Sequence, residues 1–483
     1  MKRNLITGMI FGGAVLTALY FSAGSLLAWF LILAAYGWLA YKNPLRATQL
    51  FIIYLPVQLA LNLGPGLDVA SSRLLALTLG AGWALNKFLK PAPQNPHPIT
   101  YNLSTIIFVA FVFWAGLTLL LPEVAPLEPG LRKLLFLLSY APIPFVIADL
   151  LKKPDLKTRN TKYGIRNTKQ GLQTAIAISG SIAAMSAMAF LILGQLWGDS
   201  IAADWWLNNV TPLFNGVTAA AAIGQYSSWF ARVGANDVLR AVGTFPDPHM
   251  LAFFLEATLP FTMAKSITYR VSSIKYMLFW AGAAVLQLAI LLLTYSRGAY
   301  IGLAAGGTFA LVAFLLHKLK NNSNTKYYIL NTVYFILPLA AVMALWLPST
   351  PFAARLANLF DTSTAGRLTL WQQSIETIKT HPVAGVGLGN LPYEINPAAD
   401  YRDPIYAHNL YLDIAAETGL IGLILWLILV MFAFKRQSWQ SQLSWPGHAY
   451  RQAGRIALIT ISVHALFDTP LFSVHVLPLL LIL

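Results

Sequence analysis

The chain contains no cysteine. That absence excludes disulfides, thiol nucleophiles, thiolate metal sites and covalently attached c-type haem. Charge is scarce as well: 11% of the 483 residues are charged, against about 25% in a soluble domain. Acidic residues are the scarcest part, 18 against 33 Lys and Arg. No Walker-type glycine loop, zinc-ligand spacing or haem-attachment string occurs, so neither a metal nor a cofactor is expected. Energy for any reaction must then come from the substrate and not from nucleotide hydrolysis by this chain.

Apolar sequence takes the place of charge: 57% of residues are hydrophobic and the mean hydropathy is +0.61. Runs of about 20 apolar residues, long enough to cross a hydrocarbon core of roughly 30 Å, recur along the chain. They lie at about 5–22, 24–41, 47–64, 69–89, 101–121, 131–151 and 174–197. After the middle of the chain they resume at about 249–264, 276–295, 298–316, 327–347, 410–434, 456–468 and 470–483. Lipid offers the backbone no hydrogen-bond partner, so the prediction is all-α: a polytopic transmembrane bundle of twelve to fourteen spans. The last two runs are short enough to be one broken helix or a re-entrant pair. The first run follows Met1-Lys2-Arg3 without a small-residue cleavage pattern and reads as a retained signal anchor.

Alternating the spans from a cytoplasmic N-terminus puts most Lys and Arg on the inner side. Lys2, Arg3, Lys42, Arg46, Lys87 and Lys90 fall there, as do Lys265, Lys318, Lys435 and Arg455 and the basic loop 152–169. Of the 18 acidic residues only Asp149 and Asp155 do. Positive-inside bias sets orientation, so both termini are expected in the cytoplasm. The net charge of +15 is then a topology signal, matched by anionic membrane lipid, and calls for no nucleic acid. Two long segments, 198–248 and 348–407, fall outside. Trp197, Trp205, Trp206 and Trp229 suggest interfacial helices in the first.

The second outer segment carries the candidate chemistry. Leu368, Trp371, Ile375 and Ile378 recur at i, i+3, i+7, i+10, which predicts an interfacial helix over 366–380 with Arg367 in its first turn. Arg367 beside free N–H groups makes an anion cradle; equally, it is a solvated arginine at a helix end. Arg297 sits in TYSRGAY between two apolar runs, positioned to hold a phosphate or to snorkel to the headgroups. His408 precedes span 410–434, and a histidine, with its ordinary pKa near 6.5, accepts a proton at neutral pH. It is a candidate base or an interfacial loop histidine. Asn409, Asp413 and Glu417 form a polar stripe that would orient His408, line a cavity or cap the helix. HPVAGVGLGN reads as a tight turn and not as a nucleotide fingerprint. Glu256 and Asp468 are isolated along the sequence and read as structural.

TYSRGAY, GRLTLW followed by THPVAGVGLGN, and AHNLYLDIAAETGLIG together resemble the O-antigen ligase and polymerase superfamily. RAVGTFPDPHMLAFFL, from Arg240, adds to the resemblance, which covers roughly 240–470. It implies a GT-C-like, metal-independent, inverting glycosyltransferase of the bacterial plasma (inner) membrane, with an extracytoplasmic active site. The implied donor is an undecaprenyl-diphosphate-linked glycan, and the acceptor a hydroxyl of a lipid, glycan or protein. By this resemblance Arg297 and Arg367 hold the diphosphate and His408 deprotonates the acceptor. Arg240, Asn409 and Asp413 are further candidates. Residues 1–173 would then form N-terminal transmembrane helices with a basic cytoplasmic loop, and 174–483 the ligase-like membrane domain. A repeat-unit polymerase of the same superfamily is the nearest alternative, and a transporter or flippase or a structural scaffold the more distant ones.

Overall fold

The computed structural model describes residues 26–62, 68–89, 103–120, 127–151, 161–225, 228–233, 236–269, 274–320, 362–399, 405–438 and 445–483. The expected spans 5–22 and 327–347 lie outside these residues. The first half contributes α1 (Leu26–Lys42), α2 (Pro44–Tyr54), α3 (Ser71–Leu89), α4 (Leu103–Leu117), α5 (Leu127–Tyr140), α6 (Pro142–Leu150) and α7 (Thr161–Trp197). The segment that follows holds α8 (Asp199–Asn209), α9 (Thr211–Asn215) and α10 (Val217–Gln225). Then come α11 (Pro248–Tyr269), α12 (Ile274–Leu293), α13 (Arg297–Lys320), α14 (Thr362–Thr380) and α15 (Leu391–Ile395), followed by α16 (Leu410–Ser438), α17 (Trp445–His464) and α18 (Val476–Ile482). Two small antiparallel hairpins interrupt the helices: β1 (Ala60–Asn62) with β2 (Asp68–Ala70), and β3 (Phe230–Val233) with β4 (Asn236–Leu239).

The protein is an all-α polytopic membrane bundle. Among the described residues five helical stretches are long and apolar enough to cross a bilayer, at Leu103–Leu120, Leu127–Leu150, Gln170–Trp197, Ile274–Leu293 and Leu410–Lys435. Three expected spans differ in detail. The run 47–64 is not one helix: α2 gives way to a 3-10 turn at Leu55–Val57, where Pro56 has no N–H to continue the ladder, and then to β1. The run 131–151 breaks at Ala141, ahead of Pro142. The final run folds back through a turn into α18, whose seven residues extend about 10 Å and are too short to cross.

Helix α11 is the hub. Leu251, Ala252, Phe253, Phe254, Leu255 and Ala257 are all fully buried, because α7, α12 and α17 cover it on every side. Lipid tails are as apolar as leucine, so polar side chains and small residues must specify which helices meet. Gln287 of α12 donates to Thr262 of α11 at 2.9 Å and to Ser181 of α7 at 3.2 Å. On the opposite side, Gly298, Gly302 and Gly306 of α13 face α17. A Cβ on Gly302 would lie 2.6 Å from the Thr460 carbonyl oxygen, and one on Gly298 would lie 2.4 Å from the His464 ring. Only glycine permits that approach. One apolar core runs from Phe51 to Leu483, and the His475 ring reaches the Leu55 carbonyl at 2.8 Å.

Helix α16 is two rods. Gly419 adopts φ 69° and ψ −177°, a conformation that costs L residues with a Cβ dearly, and the helical path breaks there. The turn at 381–389 docks into this break: Leu420 N–H donates to the Pro382 carbonyl at 2.8 Å, and Val386 N–H to the Ala416 carbonyl at 2.9 Å. The glycine-rich stretch is therefore a turn, as its spacing implies, held by Gly385, Gly387 and Gly389 at positive φ.

Candidate active site

One end of the bundle gathers ionisable side chains from four separate parts of the chain. Asp468, 4% exposed, lies in the turn after α17 and stands between two histidines. Its Oδ1 is 3.6 Å from His408 Nδ1, and its Oδ2 is 3.4 Å from His249 Nδ1. Arg367 donates from Nη1 to the Phe467 carbonyl at 3.1 Å, on the same turn. Arg240 is buried and donates from Nε to the Thr294 carbonyl at 2.7 Å and from Nη1 to the Ser228 carbonyl at 2.9 Å. Its Nη2 lies 3.3 Å from His249 Nε2. The structure thus brings Arg367 and His408 beside one carboxylate, with Arg240 one histidine away through His249.

Each of these groups is held by local structure that the sequence explains. His408 has φ 49°, a left-handed conformation uncommon for a non-glycine residue and frequent at functional positions. Asp413 secures the backbone on both sides of the cluster: Oδ1 accepts from Ala407 N–H at 2.7 Å, and Oδ2 accepts from the Thr469 hydroxyl. Asn409 caps α16, its Oδ1 accepting from Tyr411 N–H at 3.0 Å and Leu412 N–H at 3.2 Å. Trp371 of α14 donates from Nε1 to the Ala407 carbonyl at 2.7 Å, tying the Arg367 helix to the His408 loop. The Tyr406 ring lies 4.1 Å from that of His408, and burial, reinforced by Asp468 and Asp247, holds its phenol well above the ordinary range.

The loop bearing Arg240 is fixed from within the segment 198–248. Trp206 donates to the Gly243 carbonyl at 2.8 Å and Trp229 to the Pro246 carbonyl at 3.0 Å. These two tryptophans are buried, whereas Trp197 and Trp205 are 45% and 41% exposed. Asp247 ends this loop and caps α11, accepting from His249 and Met250 N–H at 2.8 and 3.0 Å. Burial, and then the charge of Asp468, push its pKa up to about 6.

Several expectations are corrected here. Helix α14 begins at Thr362, four residues before the predicted start, so Arg367 lies in the second turn, beyond the free N–H groups. Glu417 pairs with Lys133 of α5 at 2.5 Å, away from His408. Asp468 and Glu256 are isolated in sequence but not in space: Glu256 Oε2 lies 2.9 Å from His464 Nδ1. His249, Asp247, Ser296 and His464 belong to the same region and were not singled out from sequence. Arg297, half-buried, opens α13 between Ser296 and Gly298. Both of these contact His464, and Gly298 also packs on Phe467. Among the described residues no group of His, Cys, Asp or Glu has the arrangement of a metal site.

The cluster can hold an anion beside a proton acceptor. Guanidinium groups match phosphate oxygens in forks, and a carboxylate facing a histidine Nδ1, here at 3.6 Å, favours the proton on that nitrogen and leaves Nε2 to accept another.

Residues 282–427 match the family model described as O-Antigen ligase. That range holds Arg297, Arg367, His408, Asn409 and Asp413, and leaves out Arg240, His249, His464 and Asp468. An exopolysaccharide production protein, ExoQ, of Rhizobium meliloti (strain 1021) is 35% identical over 83 residues. The aligned stretch is 15% of this chain and 19% of that protein, so the similarity spans about a fifth of the relative. Both findings support the O-antigen ligase and polymerase superfamily.

Proposed function

We propose, for a chain whose residues 282–427 carry the O-antigen ligase pattern, that it is a glycosyltransferase of polysaccharide assembly. It moves a glycan from an undecaprenyl-diphosphate carrier to an acceptor hydroxyl at the outer face of the bacterial plasma membrane. The observation that carries this reading is the Asp468 carboxylate set against His408 Nδ1 at 3.6 Å, on the turn that Arg367 also grips.

In this mechanism His408 Nε2 takes the proton of the acceptor hydroxyl. The acceptor oxygen forms its bond to the anomeric carbon as the bond from that carbon to the phosphate oxygen breaks. The electron pair leaves with the diphosphate. Negative charge grows on the leaving group, so Arg367 and Arg297, with Arg240 beside them, stabilise the transition state more than the bound donor. Asp468 orients His408 and favours the imidazolium that forms. A placed base contributes about 10²–10⁴-fold. Positive-inside bias supports an outer position for this cluster, where a lipid-borne diphosphate would meet the interface.

The test is transfer by reconstituted protein supplied with carrier-linked glycan. His408→Ala and Arg367→Ala should each lower the rate by at least about 10²-fold; wild-type rates in both would refute the mechanism. The exopolysaccharide production protein among the relatives favours a second reading, a repeat-unit polymerase whose acceptor is another carrier-linked chain. In deletion cells, single repeats still attached to the surface identify a polymerase, and their complete loss a ligase. The transporter alternative leaned on Glu256 and Asp468 as buried acids, and each of them faces a histidine.

A further inference from the structure

Behind the cluster runs a line of hydrogen bonds that the transfer step does not use. It starts at Arg240, passes through His249 and Ser296, and ends at His464 and Glu256. The distances are 3.3 Å from Arg240 Nη2 to His249 Nε2 and 3.0 Å from His249 Nδ1 to Ser296 Oγ. They continue with 3.1 Å from Ser296 Oγ to His464 Nε2 and 2.9 Å from His464 Nδ1 to Glu256 Oε2. Ser296, His464 and Glu256 are fully buried, and Phe253 stacks on the His464 ring at 3.7 Å.

The direction of this line is fixed at the Arg240 end and matched at the Glu256 end. An arginine has only donors, so His249 Nε2 must accept and its proton must sit on Nδ1. With Glu256 ionised and His464 neutral, the carboxylate offers only lone pairs, so His464 Nδ1 donates and its Nε2 accepts. The serine hydroxyl joins the two: it accepts from His249 and donates to His464. Starting from either end gives the same polarity. A reversed line would set a histidine N–H against a guanidinium N–H, two donors face to face in a buried site, which leaves both unsatisfied.

We infer that Glu256 and His464 are positioning residues: they polarise Ser296 and His249 so that a neutral imidazole presents its lone pair to Arg240. His249 thereby holds the third guanidinium of the site in place without competing with it for charge. The same His249 Nδ1–H lies 3.4 Å from Asp468 Oδ2, so the line also meets the carboxylate that faces His408. The kinetic consequence rests on the transferase reading above; the tautomers do not.

The test is nitrogen NMR of the full chain, labelled at histidine and held in lipid nanodiscs, with His249→Gln and His464→Gln to assign the signals. Expected are two neutral rings, both protonated on Nδ1. A wild-type ring carrying its proton on Nε2 overturns the inference whether or not the protein transfers glycan. Glu256→Gln supplies a donor where only acceptors stood, and should mix the His464 tautomers. It should also raise KM for carrier-linked donor about tenfold while kcat changes less, and Glu256→Asp should restore KM. If Glu256→Gln does not fold, His464→Asn keeps the contact to Glu256, breaks the one to Ser296, and should give the same KM rise. Wild-type tautomers and wild-type KM in the folded variant refute the assignment.

Discussion

Replacing Gly302 by alanine adds one methyl group at the seam between α13 and α17, and the structure says where it goes. The new Cβ lies 2.6 Å from the Thr460 carbonyl oxygen and 3.0 Å from Glu256 Oε1. Carbon and oxygen settle at about 3.3–3.6 Å even in weak hydrogen-bond contact. The neighbour is backbone, so no side chain can rotate away, and α13 must withdraw by nearly an ångström. Overpacking of this kind costs about 1–3 kcal/mol. The withdrawal also carries Ser296 from His464, stretching a 3.1 Å contact past hydrogen-bond range. Losing that contact should raise KM for carrier-linked donor about tenfold, as is expected of His464→Asn. Gly282→Ala is the matched control, because a Cβ there meets nothing within 4 Å; it should be neutral or gain up to about 1 kcal/mol. Thermal melts in detergent and transfer assays on both variants decide the matter. If Gly302→Ala melts and works like Gly282→Ala, the close seam is not what aligns Ser296 with His464.

Trp371→Phe keeps the ring and removes the donor to the Ala407 carbonyl. It should lower transfer several-fold while shifting the melting temperature by only a few degrees, since one net hydrogen bond is worth about 1 kcal/mol; an unchanged rate would mean that α14 does not steady the His408 loop. Burial raises the Asp247 pKa from its ordinary 3.8 to about 6, so its contribution to stability is complete below about 3.8 and is lost as pH rises through about 6. Asp247→Asn keeps an oxygen for the His249 and Met250 N–H groups and abolishes that dependence. The melting temperature of Asp247→Asn relative to the parent should therefore rise across this window, and parallel curves would refute it.

The sequence displays what depends on neighbours along the chain. Apolar length marks most of the membrane helices, the i, i+3, i+7 spacing from Leu368 finds α14, and the prolines and glycines of 382–389 mark a turn. His408 and Arg367 stand out because polar residues are rare around them. What depends on distant neighbours stays hidden: Asp468 looks isolated because its partners lie 60 and 219 positions away in the chain (roughly a helix pair and half the bundle). Glu256 and His464 meet across a separation of 208 residues. One missed signal was legible, since Gly298, Gly302 and Gly306 repeat every fourth residue, the spacing that lets membrane helices approach closely. The break at Gly419 was not: a glycine inside an apolar run costs little information and looks like helix.

That break separates two duties within a single helix. The lower rod, 420–438, is about 28 Å long and matches the hydrocarbon by itself. The other piece, from Leu410 to Thr418, is clamped to the turn at 381–389 and bears Asp413, which holds the Ala407 N–H beside His408. A rod joined through a glycine can tilt with bilayer thickness without turning the residues around His408 along with it.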